Sequence, residues 1–337
     1  MADPLVLGVD VGGTKVAVGS VAGAEAHHVV EEPTELSSTK ALLNGIEKAY
    51  REVADSAGDP EAVGVGMPSQ IEFATGRVLS SVNIPLEGVS LREELGSRFG
   101  VPVFVDNDAN CAALAEAQLV DDAPARHLVM LTLGTGVGGG VVIDGQIFRG
   151  AQGLGAELGH MSIEADGPDC PGNCPNRGCV EALCSGTALE RDATELGKDK
   201  PDTPLGRIYA ESKRVTGRQT VEAARAGDPD AVGLLERLAT YLGVAMAGYV
   251  NVFEPEHLII GGGLSRASDL PLRRGRFFDY ARDEAASRAL PRLWERVSVG
   301  IARGGANAGV IGAGVLAAQE LEGLARDTAH RRSTEGA

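Results

Sequence analysis

Two glycine-rich turns, each set between apolar runs, constrain the fold more than any other feature of the sequence. The apolar runs 5–9 and 16–21 enclose the first turn, and the same scheme recurs over 128–148. Apolar runs separated by short glycine turns indicate β-hairpins. The repeat therefore predicts two similar domains facing a cleft, each of which begins with a strand, a glycine turn and a second strand.

Between the two hairpins, helical and strand patterns alternate. Apolar residues recur at helical spacing over 37–56, and short apolar runs at 62–66 and 101–105 indicate strands. An alanine-rich, helix-prone stretch follows Asp108. The alternation predicts an α/β fold.

The domain boundary is expected near 118–125, where Asp121-Asp122-Ala123-Pro124 interrupts the pattern. We predict a small N-terminal α/β domain over 1–120 that also contains a C-terminal helix at about 306–325. A larger α/β domain covers 121–305, and the polar tail 326–337 is expected to be disordered.

Charge and hydropathy exclude two classes of partner. The net charge is −16 and the pI is about 4.9, whereas nucleic-acid binding requires a basic surface. No apolar stretch reaches membrane length, and no charged segment followed by an apolar one precedes the first strand. We therefore expect a cytoplasmic protein that contacts neither nucleic acid nor membrane.

The first turn carries residues suited to phosphate binding. Gly12 and Gly13 allow backbone N–H groups to approach a phosphate, Thr14 offers a hydroxyl, and Asp10 can hold Mg²⁺ through water. Lys15 completes the motif. Taken alone, a plain hairpin turn explains the same residues equally well.

The second turn contains Gly134, Thr135 and Gly136 in a G-x-G-x-x-G pattern. A dinucleotide-binding site needs a helix directly after such glycines, but a strand-like run, 141–143, follows here. This context argues against an NAD-dependent oxidoreductase, and the absence of a G-x-x-x-x-G-K-[ST] motif argues against a P-loop enzyme. A second phosphate-binding hairpin is the better interpretation.

Polar residues close the predicted strand 101–105. At the carboxyl end of such a strand, Asp108 can orient and deprotonate a hydroxyl group, and Asn107 can bond a neighbouring one. The alternative is that these residues cap the following helix, as Asp and Asn commonly do. Without other motifs, the helix cap is the favoured interpretation.

One histidine and three cysteines gather in a Gly/Pro-rich loop: His160, Cys170, Cys174 and Cys179. Thiols of a cytoplasmic protein are rarely bridged, and this set matches a tetrahedral Zn²⁺ site. The two other cysteines, Cys111 and Cys184, lie in helical stretches and are expected to be buried as small apolar side chains.

Together, these motifs resemble the ROK family (repressors, open reading frames and kinases), which has the actin-like ATPase, or ribonuclease H-like, fold. The resemblance covers nearly the whole chain and rests on the order and spacing of the motifs. The matching segments are 10–15, 105–110, 134–138, 157–160, 178–181, 185–186 and Gly261-Gly262-Gly263.

The resemblance implies an ATP-dependent sugar kinase with Asp108 as general base. Asn83, Asn107, Glu157, His160 and Glu181 would bind the sugar, and one nitrogen of His160 would bind zinc. The residues implied at the ATP site are Asp10, Gly12, Gly13, Thr14, Lys15, Thr135, Gly136, Gly261, Gly262 and Gly263. Mg²⁺ would accompany ATP, Zn²⁺ would be structural, and the family often forms dimers or larger homo-oligomers.

The sequence departs from the family pattern at two places. Cys170 and Cys174 are separated by three residues, where the family has Cys-x-Cys, and Met67-Pro68-Ser69 replaces the usual proline-glycine near the sugar.

Within the family, glucose is the expected substrate, because zinc-loop members that begin directly at the phosphate motif are often glucokinases. Fructose, mannose, N-acetylglucosamine and N-acetylmannosamine are alternatives, and polyphosphate is an alternative donor. A sugar-sensing regulator is less expected, since only nine residues precede Asp10 and they leave no room for a DNA-binding domain.

Overall fold

The computed structural model describes residues 4–81, 83–120, 123–172 and 174–335, with side chains up to residue 326. The chain forms two compact units. Unit 1 consists of Met1–Arg126, Gly140–Ala156 and Arg303–Ala337, and unit 2 consists of His127–Gly139 and Glu157–Ala302. Among the described residues, no helix combines the length and apolarity that a membrane span requires.

Strands and helices alternate along most of the chain. The strands are β1 (Val6–Val11), β2 (Lys15–Ala22), β3 (Glu25–Pro33), β4 (Ala62–Met67), β5 (Gln70–Glu72), β6 (Arg77–Ser80), β7 (Val103–Asn107), β8 (Leu128–Leu133), β9 (Val137–Ile143), β10 (Gln146–Ile147), β11 (His257–Gly261), β12 (Pro271–Leu272), β13 (Gly275–Arg276) and β14 (Ser298–Ile301). The helices are α1 (Thr39–Ala57), α2 (Leu91–Phe99), α3 (Asp108–Leu119), α4 (Val180–Cys184), α5 (Gly186–Asp199), α6 (Pro204–Ser212), α7 (Gly217–Arg225), α8 (Pro229–Phe253), α9 (Phe277–Ala286), α10 (Pro291–Trp294) and α11 (Ala308–Glu335).

The main sheet of unit 1 has the strand order β3-β2-β1-β4-β7. Strand β1 is antiparallel to β2 but parallel to β4, which is in turn parallel to β7. The register pairs Asp10 with Gly66 and Gly66 with Asp106. The carboxyl ends of the three parallel strands therefore meet at one edge, which is where α/β sheets usually bind ligands.

Helix α11 packs closely on this sheet because glycines of the sheet face it. A Cβ atom on Gly64 would lie 1.7 Å from the carbonyl oxygen of Ala313, and one on Gly8 would lie 1.9 Å from that of Val310. Both distances are far below van der Waals contact, so any side chain at these strand positions would push the helix away.

We expect Gly64→Ala to lower the free energy of unfolding by about 3 kcal/mol, since the added methyl group must displace the backbone of α11. Gly45→Ala is a matched control, because Gly45 lies inside α1 and has open space around it. Alanine there should stabilise the protein by about 0.5–1 kcal/mol through its higher helix propensity. Urea unfolding of both variants measures the two effects, and equal stabilities would contradict the close approach.

The second five-stranded sheet is built around parallel strands. It has the order β10-β9-β8-β11-β14, and its strands β8, β11 and β14 belong to unit 2. Strand β8 is parallel to β11, and β11 is parallel to β14. The register pairs Thr132 with Gly261, so β8 and β11 end side by side. The glycines that follow both strands consequently emerge at the same edge.

The hairpin predicted at 5–21 and the helix predicted at 37–56 are confirmed, and so is the strand predicted to open the segment 128–148, which is β8. The predicted α/β alternation is confirmed as well. Cys111 and Cys184 are fully buried, as expected.

The division into units differs from the predicted domains at 140–156, which belongs to unit 1. Two hydrogen bonds join the turn between β9 and β10 to other residues of unit 1. Gly145 N donates to Arg126 O at 2.8 Å, and Gln319 Nε2 donates to Gly145 O at 2.9 Å. These partners are distant in sequence, which is why the chain pattern did not indicate them. Asp121 and Asp122, at the predicted boundary, lie outside the described residues.

The C-terminal helix is also longer than predicted. Helix α11 continues to Glu335, whereas the sequence analysis ended it at about 325 and expected disorder over 326–337. Residues 326–335 contain neither glycine nor proline, so nothing in the sequence breaks the helix there. Residues 336 and 337 lie outside the described part.

Candidate active site

Carboxylates gather at the edge of the unit 1 sheet where β1, β4 and β7 end. Burial, followed by the charge of Asp108, raises the pKa of Asp10 to about 6, and Lys15 opposes the shift. Burial likewise raises the pKa of Asp108, against the hydrogen bond from the Ala109 N–H group. Two acids with raised pKa values, held close together, are typical of a functional site.

Asp108 and Asn107 stand at the junction of β7 and α3. Asn107 Oδ1 accepts from Ala109 N at 2.8 Å, so Asn107 is the N-cap of α3. Asp108 Oδ1 accepts from the same N–H group at 2.9 Å. Asn107 Nδ2 donates to the carbonyl oxygen of Ser69 at 3.2 Å, which ties it to the segment that departs from the family pattern. The helix cap therefore exists, and it fixes the position of Asp108.

The first glycine turn is closed by backbone hydrogen bonds. Gly12 N donates to Lys15 O at 2.9 Å, and Thr34 Oγ1 donates to Gly12 O at 2.7 Å. Gly13 and Thr14 are exposed at its tip. The ammonium group of Lys15 forms an ion pair with Glu31. The contact between Lys15 and ATP stays a prediction.

The second glycine turn is held against the start of α5 in unit 2. Gly134 N donates to Gly136 O at 2.9 Å, and Gly186 N donates to Gly134 O at 2.8 Å. Thr187 Oγ1 donates to Thr135 O at 2.8 Å. The first N–H groups of α5 thus bond the carbonyl groups of the turn, which fixes the turn against this 14-residue helix.

The third glycine segment follows β11 and meets β8. Gly262 has φ +83°, and a Cβ atom on it would lie 2.4 Å from Leu133 O. Both the backbone conformation and the close approach require glycine at this position. Gly261 is buried at the end of β11, while Gly263 is exposed.

A cavity of about 940 Å³ in unit 2 joins these glycine segments. Its lining includes the predicted residues Thr135 and Gly263. It also includes residues that the sequence analysis missed, among them Gly186, Thr187, Glu190, Arg214, Gly217, Arg218, Arg225 and Arg266. These arginines follow no motif: Arg218 and Arg225 lie on α7, whereas Arg214 and Arg266 lie outside it.

The predicted metal ligands come together in unit 2. One ligand atom from each of His160, Cys170, Cys174 and Cys179 lies within 4.8 Å of every other. His160 Nδ1 is 3.3 Å from Cys174 Sγ and 3.6 Å from Cys170 Sγ. Three sulfur ligands and one imidazole nitrogen form a donor set that fits a tetrahedral Zn²⁺ site.

The longer loop accommodates Cys170 through its own hydrogen bonds. Cys170 N donates to Asn176 O at 2.9 Å, and Asn176 Nδ2 donates to His160 O at 2.7 Å. The spacing that differs from the family pattern therefore still brings Cys170 to the cluster.

Glu181 connects the cluster with the second glycine turn. Its Oε2 accepts from Val137 N at 2.8 Å, and Cys170 Sγ is 3.5 Å from its Oε1. Gly159 approaches the carbonyl oxygen of Val137 so closely that a Cβ atom would lie 2.0 Å from it. Both backbone groups of Val137 thus face segments predicted to bind the sugar.

A buried tyrosine, which the sequence analysis missed, supports the segment 157–160. Tyr249 on α8 donates from its hydroxyl group to Leu158 O at 2.6 Å, inside the short 3₁₀ turn Leu158–His160. Glu157, just before this turn, is exposed. Asn83 is exposed in the loop between β6 and α2 of unit 1.

The chain belongs to the ROK family, which it matches over residues 6–320. It is 36% identical over 327 residues to the glucokinase of Halalkalibacterium halodurans, covering 95% of this chain and 97% of that one. The ROK hexokinase from Thermus thermophilus has a similar structure, with a TM-score of 0.81 and 35% identity over 94% of this chain and 99% of that one.

A second similar structure is a ROK family glucokinase from Streptomyces griseus in complex with glucose and AMPPNP. Its TM-score is 0.73 at 31% identity, covering 94% of this chain and 99% of that one. The likeness to these ROK structures confirms the predicted two-domain α/β fold of the actin-like ATPase type.

Proposed function

We propose that this protein is a Mg·ATP-dependent hexose kinase that phosphorylates the 6-hydroxyl group of glucose, with Asp108 as general base. The chain is a sugar kinase of the ROK family, and glucose is favoured because its relatives include glucokinases. The observation that carries the role of Asp108 is its position. It is fixed at the start of α3 beside Asp10, and burial raises its pKa.

The donor side is assigned to the glycine segments. The amides of the first and second turns would hold the phosphates of ATP, and α5 fixes the second turn through Gly186 N and Thr187 Oγ1. The arginine-lined cavity of unit 2 offers room for the nucleoside. Asp10 would hold the Mg²⁺ that accompanies ATP through water.

The acceptor side is assigned to the polar residues that the family resemblance indicates. Asn83, Asn107, Glu157, His160 and Glu181 would bind sugar hydroxyl groups. His160 turns Nδ1 toward the cysteines, which leaves Nε2 for a hydroxyl group. Zinc, when bound, supplies a fixed anchor for this ring.

In the proposed reaction, Asp108 accepts the proton of the sugar hydroxyl group as the oxygen attacks the γ-phosphorus in line. In phosphoryl transfer, a protein acts mainly by positioning the reacting groups and by neutralising the charge on the phosphates. The glycine turns and Mg²⁺ serve the donor in this way, and Asp108 and Asn107 serve the acceptor. Exclusion of water would suppress wasteful ATP hydrolysis.

A sugar-by-donor screen tests the proposal. We expect the highest kcat/KM with glucose and ATP, measured against fructose, mannose, N-acetylglucosamine and N-acetylmannosamine, each with ATP or polyphosphate. A higher value with another sugar or with polyphosphate would reassign the substrate or the donor. Sugar binding without phosphorylation of any sugar would favour a sensing role and contradict the kinase.

Two further properties stay predictions from the family resemblance and the composition. We expect a homodimer or a larger homo-oligomer, which light scattering of the purified protein measures. A cytoplasmic location is expected from the hydropathy pattern, and cell fractionation tests it.

A further inference from the structure

Arg149 of unit 1, just after β10, has a guanidinium group that is held on three sides. Nε donates to Asp106 Oδ2 at 2.7 Å, and Nη2 lies 3.3 Å from Glu320 Oε1. The guanidinium carbon lies 3.5 Å from the centre of the Phe73 ring. The side chains of Arg149 and Asp106 are only 15% and 3% exposed. A planar cation stacked on a ring and paired at two edges has a single orientation.

Asp106, which Arg149 holds through Oδ2, also contacts the start of α3. Its other oxygen, Oδ1, accepts from Asn107 N at 2.8 Å and from Asn110 Nδ2 at 2.7 Å. Asn107 in turn caps α3 through Ala109 N. Asp106 therefore joins the last residue of β7 to the first turn of the helix, and Asp108 lies between these attachment points.

Arg149 also balances charge at this edge of the sheet. Burial, followed by the charges of Asp106, Asp10 and Asp108, raises the pKa of the neighbouring Cys111 thiol, and Arg149 opposes that shift. Buried carboxylates at close range need a cation, because isolated charges are strongly disfavoured away from water.

We propose that Arg149 is a positioning residue for phosphoryl transfer, which orients Asp106 and, through it, the segment that carries Asn107 and Asp108. The inference rests on the proposed function, because it concerns the support of the proposed base. No sequence motif indicates the role, since Arg149 and Asp106 are 43 positions apart. Arg149 acts on the geometry of the reacting carboxylate, so its loss should change kcat more than KM.

Arg149→Lys is the first test. Lysine keeps the positive charge but lacks the planar fork that contacts Asp106 and Glu320 while stacking on Phe73. We expect kcat with glucose and ATP to fall about 10–100-fold, because a displacement on the order of 1 Å at a catalytic group has effects of this size. KM for both substrates should change by less than about threefold, since their binding groups remain.

Arg92→Lys is the matched control. Arg92 is also partly buried in unit 1 and also faces Phe73, at 5.5 Å from the ring centre, but it donates to the carbonyl oxygens of Ala74 and Phe73 instead of to Asp106. Its replacement should leave kcat unchanged at a similar loss of thermal stability. An equal fall of kcat in Arg92→Lys would overturn the inference, because the effect would then be general weakening of the Phe73 region.

A double variant keeps the test decisive if Arg149→Lys does not fold. Arg149→Met with Asp106→Asn removes both buried charges, while the amide oxygen at 106 can still accept from Asn107 N and Asn110 Nδ2. We expect a folded protein with kcat still reduced about 10-fold or more, because the guanidinium group no longer holds the second polar atom of the side chain at 106. Wild-type kcat in this variant, or in Arg149→Lys, would overturn the positioning role. Absence of phosphorylation by the wild-type protein would instead overturn the proposed function.

Discussion

Replacement of Asp108 by asparagine is expected to lower kcat for glucose phosphorylation by about 10³-fold, within the range that general-base groups supply. Asparagine keeps the size of the side chain and the oxygen that accepts from Ala109 N. It cannot accept the proton of the sugar hydroxyl group. The variant should therefore fold and bind glucose with little change in affinity, which steady-state kinetics and calorimetric titration together measure.

The same variant should be more stable than the wild-type protein at pH 7.5. The pKa of Asp10 is raised from 3.8 to about 6 in the folded protein, and the charge of Asp108 is the second cause after burial. A group with a raised pKa lowers stability as pH rises from its unfolded to its folded value, here from about 3.8 to about 6. Loss of the neighbouring charge should stabilise the fold by about 1–2 kcal/mol at pH 7.5, and by less near pH 4.

Asp59→Asn is the control for both effects, since Asp59 is an exposed carboxylate of unit 1. It should leave kcat and the pH dependence of thermal unfolding unchanged. An Asp108→Asn protein with near-normal kcat would remove Asp108 as the base. An equal loss of sugar affinity and kcat would indicate a binding role instead.

Much of the strand and helix pattern of unit 1 could be predicted from the local order of apolar and polar residues. The strand pattern placed Asp10 and Asp106 at carboxyl ends, and the register then brings them to one edge through Gly66. The contacts that hold this edge come from distant positions, such as Arg149 to Asp106 and Gln319 to Gly145. Such pairings depend on tertiary packing, which no local pattern encodes.

Glycines illustrate the same limit in a different way. The turns at Gly12-Gly13 and Gly134-Thr135-Gly136 were recognisable because their glycines cluster between apolar runs. Gly64 lies inside a strand and carries no such signal, yet it admits the backbone of α11. The arginines of the unit 2 cavity were missed for a similar reason: they come from separate elements and converge only in the folded chain.

The cysteine cluster gives the clearest case in which composition and chemistry outweighed an irregular spacing. The Cys170–Cys174 interval departs from the family pattern, but the thiol of Cys170 lies with the other predicted ligands. An irregular loop can adjust its length more easily than a helix or strand, because few regular hydrogen bonds fix its path. Ligand chemistry was therefore a better guide here than the number of residues between ligands.

Removal of zinc is expected to raise KM for glucose about 10–100-fold, the usual effect of disturbing groups that orient a ligand residue. The described residues of the loop between Met161 and Cys179 are joined by backbone hydrogen bonds such as that from Cys170 N to Asn176 O, and zinc would add the bond between the cysteines and His160. Without it, His160 loses the partner of Nδ1, and Glu181 loses the ordered thiol beside Oε1. KM for ATP should change much less.

Cys174→Ser and Cys170→Ser should each reproduce the effect of chelation, with zinc measured by mass spectrometry falling well below one per chain. Cys184→Ala is the matched control, because Cys184 is a buried thiol of the same unit outside the cluster, and it should retain both zinc and glucose affinity. Full zinc content and unchanged KM in Cys170→Ser would show that three ligands suffice and remove Cys170 from the site. Unchanged KM after complete zinc loss would separate the metal from sugar binding altogether, leaving His160 positioned by its backbone hydrogen bonds with Glu157 and Asn176.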